Sequence, residues 1–334
     1  MKNPTVVFPE VRKAEIRDVE IPALKREQLL IETEVTAISI GTEMTVFSGD
    51  VEPGTHWAKA GFPRQSGYCN VGVVKEVGEG VDRARIGQRV QSYGGHGKYV
   101  VQRQELAREV RSDVPSECAV FATLAEIALH GVRRSEIGLG YSVVVYGLGL
   151  LGQMAVRFAW LAGARPVLGV DVAEQRLKLL PKEAGVIAVN PRETNVTEVV
   201  KEVTRGRMAD VVVEFTGNQS LIPGEMKLLR QGGTLAIVSG PRGKTEIDFH
   251  DLCVVPSIRI LGLHNNSHPS YASAWDPWTK NRDVELFIDM VAEGDFDMKS
   301  LISDRIHFSD APAMYQRLLE DRGSCMGIVM DWTT

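Results

Sequence analysis

The sequence predicts an α/β protein, with a β-rich N-terminal domain followed by a domain built on a doubly wound parallel sheet. Three observations carry this. The first hundred residues alternate apolar and polar side chains between Gly, Pro and Asp punctuation. From residue 142, near-continuous apolar runs alternate with amphipathic ones, and a glycine-rich turn, "YGLGLLG", joins the first run to the first helix. Alternation of period two marks half-buried strands. Short, uniformly apolar runs separated by 3.6-periodic segments mark parallel strands with crossover helices.

In order, "TVVFPEV", "KAEIRDVEI", "QLLIETEVTAI", "GVVKEVG" and "QRVQSYGGHGKYVV" read as short strands of a compact barrel or two packed sheets. "SECAVFATLAEIALHGVRRSEI" then carries apolar residues at helical spacing. The strand "SVVVYG" leads into the helix "LGQMAVRFAWLAG", followed by "PVLGVD", the helix "AEQRLKLLPKEAG", and "VIAVN". Next come the helix "NVTEVVKEVTRG", the strand "ADVVVEFTG", the helical "SLIPGEMKLLRQGG", and the strands "TLAIVSG" and "IRILGLH". The pattern loosens in "NNSHPSYASAWDPWTKN". It recovers in the helical runs "RDVELFIDMVAEG" and "DAPAMYQRLLED" and the closing strand "GIVMDW". The expected division is a catalytic β-rich domain, 1–120 with 266–334, and a parallel-sheet domain, 121–265.

Composition narrows the function classes. With 334 residues, 44% hydrophobic and 24% charged, the chain has room for one large domain or two ordinary ones. A net charge of -5 supplies no electrostatic reason for a nucleic acid or an acidic membrane as partner. The N-terminus lacks the uninterrupted apolar run of a signal peptide, and the most apolar stretch is broken by glycines, Gln153 and Arg157. Cys69, Cys118, Cys253 and Cys325 are scattered without a CxxC pair, which argues against a zinc ribbon or a disulfide framework. A reduced, cytoplasmic enzyme is expected.

The strongest chemical signal is Gly147, Gly149 and Gly152 in G-x-G-x-x-G spacing, after a buried strand and at the opening of a helix that begins with Leu150 and Leu151. The first glycine permits the turn, the second lets the backbone approach a pyrophosphate, and the third lets helix and sheet pack closely. The helix N-terminus offers unpaired N–H groups to the phosphates. Asp171 ends the next strand, roughly 20 residues on, where an acid accepts the adenosine ribose hydroxyls and repels a 2′-phosphate. NAD(H) is therefore expected rather than NADP(H), although Arg176 lies one turn into the following helix. Ligands of such sheets sit beyond the carboxyl ends of the strands. That makes Thr216 and Gly217, Ser239 and Gly240, and Leu263 and His264 further cofactor candidates. Each of these also reads as ordinary turn or cap chemistry.

The segments "TAISIGTEMTVFSG", "VGVVKEVGEGV", "IGQRV", "YGLGLLGQMAVRFAWLAGA" and "VVVEFTG", in this order, resemble the medium-chain dehydrogenase/reductase superfamily from about residue 5 to residue 332. "GTEMTVFSG", "GYCNVG" and "IALHGVRR" are similar to the branch with threonine-, sorbitol- and bacteriochlorophyllide-type dehydrogenases. The resemblance implies a GroES-like N-terminal domain, a Rossmann domain and a homodimer, joined through the "IRILGLH" edge. Zinc-dependent members hold their metal with a Cys before Gly-Thr/Ser-Asp and with a Gly-His-Glu. Here the first position is Ile40, and Gly-His-Glu is replaced by Gly67-Tyr68-Cys69. The acidic residue that often completes the site falls at Thr123, and the lobe of four cysteines is missing. Too few ligands remain for zinc; a relocated site would need Cys69, Glu43 and His56 or His96.

Hydrogen-bond donors must then stabilise the substrate oxygen in place of the metal. The resemblance puts Tyr68 at a ligand position, with Glu43 expected to bond and orient it and Thr42 completing a proton relay. The alternative is that Tyr68 and Cys69 only fill the wall left by the metal. His130 reads as a packing residue, and His264 is the best-placed histidine. Tyr271, Trp275 and Trp278 cap a pocket or form a dimer-contact loop. The polar set Thr42, Glu43, Tyr68, His264, Asn265 and Asn266 favours a polyol, sugar-derived or ring alcohol, oxidised reversibly to a ketone without zinc. Two rivals stand beside this: an NAD(P)H-dependent enone or quinone reductase, and a non-catalytic nucleotide-binding protein.

Overall fold

A computed structural model describes residues 2–269 and 271–333. The chain forms two compact units, residues 1–124 with 280–334, and residues 125–279. Among the described residues no helix is long and apolar enough to cross a membrane.

The first unit begins with β1 (Pro4–Glu10), β2 (Lys13–Asp18), β3 (Gln28–Ala37), α1 (Ile40–Ser48), β4 (Arg64–Gln65) and β5 (Asn70–Val77). It continues with β6 (Arg89–Ser92), β7 (Tyr99–Arg103), β8 (Ala107–Glu109) and α2 (Ser116–Ala119). Alternation along β3 turns Leu29 and Ile31 onto Val74 and Val90 in one apolar cluster. Helix α1 has no counterpart in the strand reading. Its start is held by Glu43, whose Oε1 accepts from the backbone N–H of the N-cap residue Ser39 at 2.7 Å. Its end is Gly49, at φ +69°.

Next come α3 (Ala122–Arg134), β9 (Val143–Tyr146), α4 (Leu150–Leu161), β10 (Val167–Val170), α5 (Glu174–Leu177) and β11 (Val186–Val189). They are followed by α6 (Val196–Val203), β12 (Ala209–Glu214), α7 (Ile222–Met226), β13 (Leu229–Ile237) and β14 (Arg259–Gly262). The single helical run expected around residue 120 is divided into α2 and α3. Every residue from Cys118 to Glu126 is buried, a wider apolar surface than one face of a straight surface helix presents. Two expected helices are short. Pro181 disfavours helical backbone at Leu180, so α5 ends at Leu177. After α7, β13 begins at Leu229 and passes through Gly232 and Gly233, where its register against β12 shifts.

All pairings in the second unit are parallel, in the order β11-β10-β9-β12-β13-β14. The chain starts mid-sheet, winds outward one way, then crosses to fill the other side. Direction reverses between β9 and β12, the switch point of a Rossmann sheet.

The return segment supplies α8 (Lys280–Glu293), β15 (Ile302–His307), α9 (Ala311–Glu320) and β16 (Gly327–Asp331) to the first unit. Strand β15 was not expected, because in its polar sequence "ISDRIH" only Ile302 is buried; it is held by parallel pairing to β16. β16 pairs antiparallel with β3, giving the order β15-β16-β3-β5-β6-β8. Helix α9 packs Tyr315 edge-on against Phe8, with ring centroids 4.9 Å apart. That packing carries the Tyr315 hydroxyl to Glu43.

Candidate functional site

In the second unit, register gathers the candidate cofactor residues. Tyr146 pairs with Val170 and with Glu214, Glu214 pairs with Ile237, and Ile237 pairs with Gly262. One level of the sheet thus precedes Gly147, Asp171, Thr216 and Gly217, Ser239 and Gly240, and Leu263 and His264. These residues lie beyond the carboxyl ends, where a parallel sheet receives ligands.

The glycine turn has the shape its sequence requires. Gly147 adopts φ +85°, and a Cβ there would lie 2.8 Å from the Thr216 nitrogen. At Gly152 a Cβ would lie 1.9 Å from the Gly147 carbonyl oxygen, so α4 can start only over a bare α-carbon. A Cβ on Gly149, the N-cap of α4, would meet nothing within 4 Å, which leaves the backbone approachable there. Leu150 and Leu151 form the first turn of α4. Asp171 is buried, accepts from the Leu148 N–H at 2.7 Å through Oδ2, and accepts from the Ala173 N–H at 2.8 Å through Oδ1. Arg176 Nη1 lies 3.5 Å from Asp171 Oδ2. These residues fit a dinucleotide: an open turn, a helix N-terminus, and a carboxylate tied to the turn with acceptor capacity remaining.

Glu214 is a residue the sequence reading missed. Fully buried, it accepts from Thr216 N and Oγ1, Gly217 N and Ser239 Oγ, so one carboxylate anchors the loops after β12 and β13. Gly217 lies against Gly240, whose oxygen would be 3.4 Å from an added Cβ. Leu263 extends the ladder by donating to the Ile237 oxygen. His264 is exposed, and its Nδ1 accepts from the Asn266 N–H. His130 is buried, with Nε2 2.7 Å from Ser267 Oγ and its ring 3.8 Å from that of His268. Tyr271 and Trp275 are exposed, whereas Arg133 stacks 3.2 Å over Trp278.

In the first unit the chemistry centres on Glu43, which is 4% exposed. Its Oε2 accepts from Ser66 Oγ at 2.7 Å and from Tyr315 Oη at 2.5 Å, and lies 3.0 Å from His96 Nε2. Burial opposes ionisation of Glu43. The neighbouring His96, with the hydrogen bonds from His96, Tyr315 and Ser66, outweighs burial and holds the carboxyl below its ordinary range.

Tyr68 does not bond Glu43, contrary to the expected orienting contact. Both carboxylate oxygens are already taken by groups from β3's end, β4's end and α9. Instead Tyr68 Oη lies 2.5 Å from Ser39 Oγ and 3.4 Å from Thr42 Oγ1. Glu43 acts one bond back, by fixing the Ser39 backbone. Burial first, then the charge of Cys69, pushes the Tyr68 phenol above its ordinary range, against the hydrogen bond it shares with Ser39 and the one it donates to Thr42, which lower it. Tyr68 is a neutral phenol at physiological pH. Ser39, Ser66 and Tyr315 were missed by the sequence reading. The serines carry no motif, and Tyr315 is 272 residues from Glu43.

The zinc positions carry other chemistry. Ile40 is apolar, Thr123 accepts from Gln91 Nε2 at 2.6 Å, and Cys69 is fully buried. Of the relocated set, Glu43 and His96 meet each other, while His56 is exposed in a separate turn. Among the described residues no three His, Cys, Asp or Glu side chains converge as metal ligands. This donor set does not fit a catalytic zinc.

The zinc-binding dehydrogenase family signature matches residues 151–294. An L-threonine 3-dehydrogenase of Caldanaerobacter subterraneus subsp. tengcongensis is 25% identical, over 78% of this chain and 82% of its own. A D-guloside 3-dehydrogenase of Escherichia coli is 27% identical, over 77% and 74%. The sorbitol dehydrogenase of Bacillus subtilis is 22% identical, over 97% and 96%. Among solved structures, an Escherichia coli alcohol dehydrogenase complexed with NADH superposes with a TM-score of 0.84 at 17% identity, covering 99% of this chain and 100% of its own. A Sinorhizobium meliloti zinc-binding dehydrogenase bound to NADP superposes with a TM-score of 0.80 at 22% identity, covering 99% of each chain. Strand order, glycine turn and relatives agree: the chain belongs to the medium-chain dehydrogenase/reductase superfamily.

Proposed function

We propose that this oxidoreductase interconverts a small hydroxylated alcohol and its ketone with NAD(H), without zinc, using Tyr68 as the proton-bearing group. Relatives that act on threonine, a guloside and sorbitol support an alcohol as substrate. The observation that carries the reading is the row beyond the second unit's carboxyl strand ends, with the glycine turn beside Asp171.

In this reading Gly147 to Gly152 cradle the pyrophosphate, and Asp171 accepts the adenosine ribose hydroxyls. Arg176 is paired to Asp171, and a 2′-phosphate there would meet a buried carboxylate, which favours NAD over NADP. When bound, the nicotinamide exchanges a hydride with the carbinol carbon. In reduction the hydride pair becomes the new C–H bond and the C=O π pair moves onto the oxygen, which needs a hydrogen-bond donor and then a proton. The neutral Tyr68 hydroxyl supplies both and is replenished through Ser39 Oγ or Thr42 Oγ1. In oxidation the same atoms take the substrate proton. Strand β14, an edge of the parallel sheet, pairs with a second copy in a cytoplasmic homodimer.

The test combines cofactor titration, elemental mass spectrometry and turnover over a panel of polyols and ring alcohols. NADH binding tighter than NADPH, no stoichiometric zinc and turnover of a panel member are expected. About one zinc per chain, or turnover unchanged in Tyr68→Phe, overturns the proton assignment.

A further inference from the structure

An N-cap serine ordinarily turns its hydroxyl onto the first N–H groups of its helix. Ser39, the N-cap of α1, makes no such bond, and its Oγ lies 2.5 Å from Tyr68 Oη instead. Its N–H donates to Glu43 Oε1 at 2.7 Å. Ser39 is thus fixed by its backbone, which leaves its hydroxyl for Tyr68.

The other carboxylate oxygen of Glu43 is held in turn by Ser66, His96 and Tyr315. Together with the Ser39 N–H, these groups fill the roughly four acceptor positions a carboxylate offers. All five residues are buried, so bulk water does not replace a donor that is lost. Oε1 and Oε2 belong to one planar group. A carboxylate released on Oε2 turns, and Oε1 then leaves the Ser39 N–H. The Tyr315 ring is fixed independently, edge-on to Phe8 at 4.9 Å and beside Phe47 at 5.4 Å, so its hydroxyl arrives from a set direction. An apolar filling of similar volume is often as stable as a buried charged network. Stability alone does not call for this one.

Resting on the reading of Tyr68 as the proton-bearing group, we propose that Tyr315 is a positioning residue for the proton step, acting through Glu43 and Ser39. The order of action runs from Tyr315 Oη to Glu43 Oε2, from Glu43 Oε1 to the Ser39 N–H, and from Ser39 Oγ to Tyr68 Oη. Tyr315 is fully buried and acts at a distance from the substrate. No proton passes along this line, because its middle link is a backbone N–H; it transmits position only. A helix of the return segment thereby aims the hydroxyl of a residue near the start of the chain.

Tyr315→Phe removes one oxygen and keeps the ring. In the full chain, with tyrosines isotopically labelled at the hydroxyl-bearing ring carbon, the Tyr68 resonance is assigned by its loss in Tyr68→Phe. Tyr315→Phe is expected to displace that resonance and to leave that of the exposed Tyr271 in place. The phenylalanine ring preserves the ring current, so an unmoved Tyr68 resonance overturns the proposal. Turnover of mannitol, inositol and cyclohexanol with NAD is measured alongside. In Tyr315→Phe, kcat should fall about tenfold, as a small misplacement of a reacting group costs, with KM and NADH affinity within about twofold. In a Tyr68→Phe background the same substitution should change nothing further, since the two act in series. A lower thermal midpoint with unchanged kcat, or an equal loss with and without the Tyr68 hydroxyl, overturns the positioning role. Should Tyr315→Phe fail to fold, Ser66→Ala takes a donor from the same oxygen and is read by the same two measurements. Full turnover in Tyr68→Phe, or no turnover of any of these alcohols by wild type, overturns the Tyr68 reading and this inference with it. A slow Tyr68→Phe beside an undisturbed Tyr315→Phe overturns the role of Tyr315 alone.

Discussion

Tyr315 donates to Glu43 Oε2 at 2.5 Å across 272 residues of sequence, tying the return helix α9 to the first turn of α1. The Glu43 carboxyl is held below its ordinary value by His96, Tyr315 and Ser66 despite burial. Between its folded and unfolded pKa values the unfolded chain binds the extra proton, so this contribution is present above the unfolded value of 4.5 and is lost as pH falls through the folded one. Glu43→Gln is expected to cost about 3 kcal/mol at pH 7, as for breaking a buried charged network. It should also flatten the acid limb of the stability profile, checked by urea unfolding from pH 3 to pH 7.

Tyr68→Phe removes the hydroxyl 2.5 Å from Ser39 Oγ. Turnover should drop by about 100-fold, the lower range for one lost acid–base group, while NADH affinity stays within about twofold. Ser39→Ala should give a smaller loss, about tenfold, because Thr42 remains as a second partner. Steady-state kinetics beside cofactor titration separates the two effects.

Asp171 accepts the Leu148 N–H of the glycine turn. Asp171→Ala should weaken NADH binding by about tenfold or more, since the ribose contacts and the tie to the turn are lost together. NADPH should weaken less, narrowing the preference between the cofactors. Parallel titrations with both read the ratio.

A Cβ on Gly67 would sit 2.6 Å from the His96 ring, on a backbone at φ +89°. Gly67→Ala therefore meets strain and a clash with the ring that lies against Glu43. We expect a loss of about 1–3 kcal/mol and a lower thermal midpoint, read by calorimetry.

Glu225 shifts in the opposite sense to Glu43. Its folded pKa, about 8, lies above the unfolded 4.5, so the folded chain holds the extra proton and stability falls as pH rises across that window. Glu225→Gln should remove this fall, and denaturation at pH 5 and pH 8.5 measures it.

The dinucleotide half was legible because its requirements are local. Gly147, Gly149 and Gly152 lie within six residues of one another, and each answers to a backbone constraint a sequence can display. The short helices α5 and α7 were misread where Pro181, Pro223 and Gly224 cut across an amphipathic pattern that otherwise favours longer runs. The surroundings of Glu43 were not legible. Its partners Ser66, His96 and Tyr315 arrive from β4's end, the turn before β7 and a helix near the C-terminus, and no periodicity links them. The expected Glu43–Tyr68 contact came from position alone. Competition among four donors for one carboxylate decided against it.

Glu214 grips Thr216, Gly217 and Ser239 at once, so the loops that follow β12 and β13 are stapled into a single mechanical part. They cannot breathe separately. The backbone amides of Thr216 and Gly217 should exchange with deuterium on one shared clock, and loosening either loop frees the other.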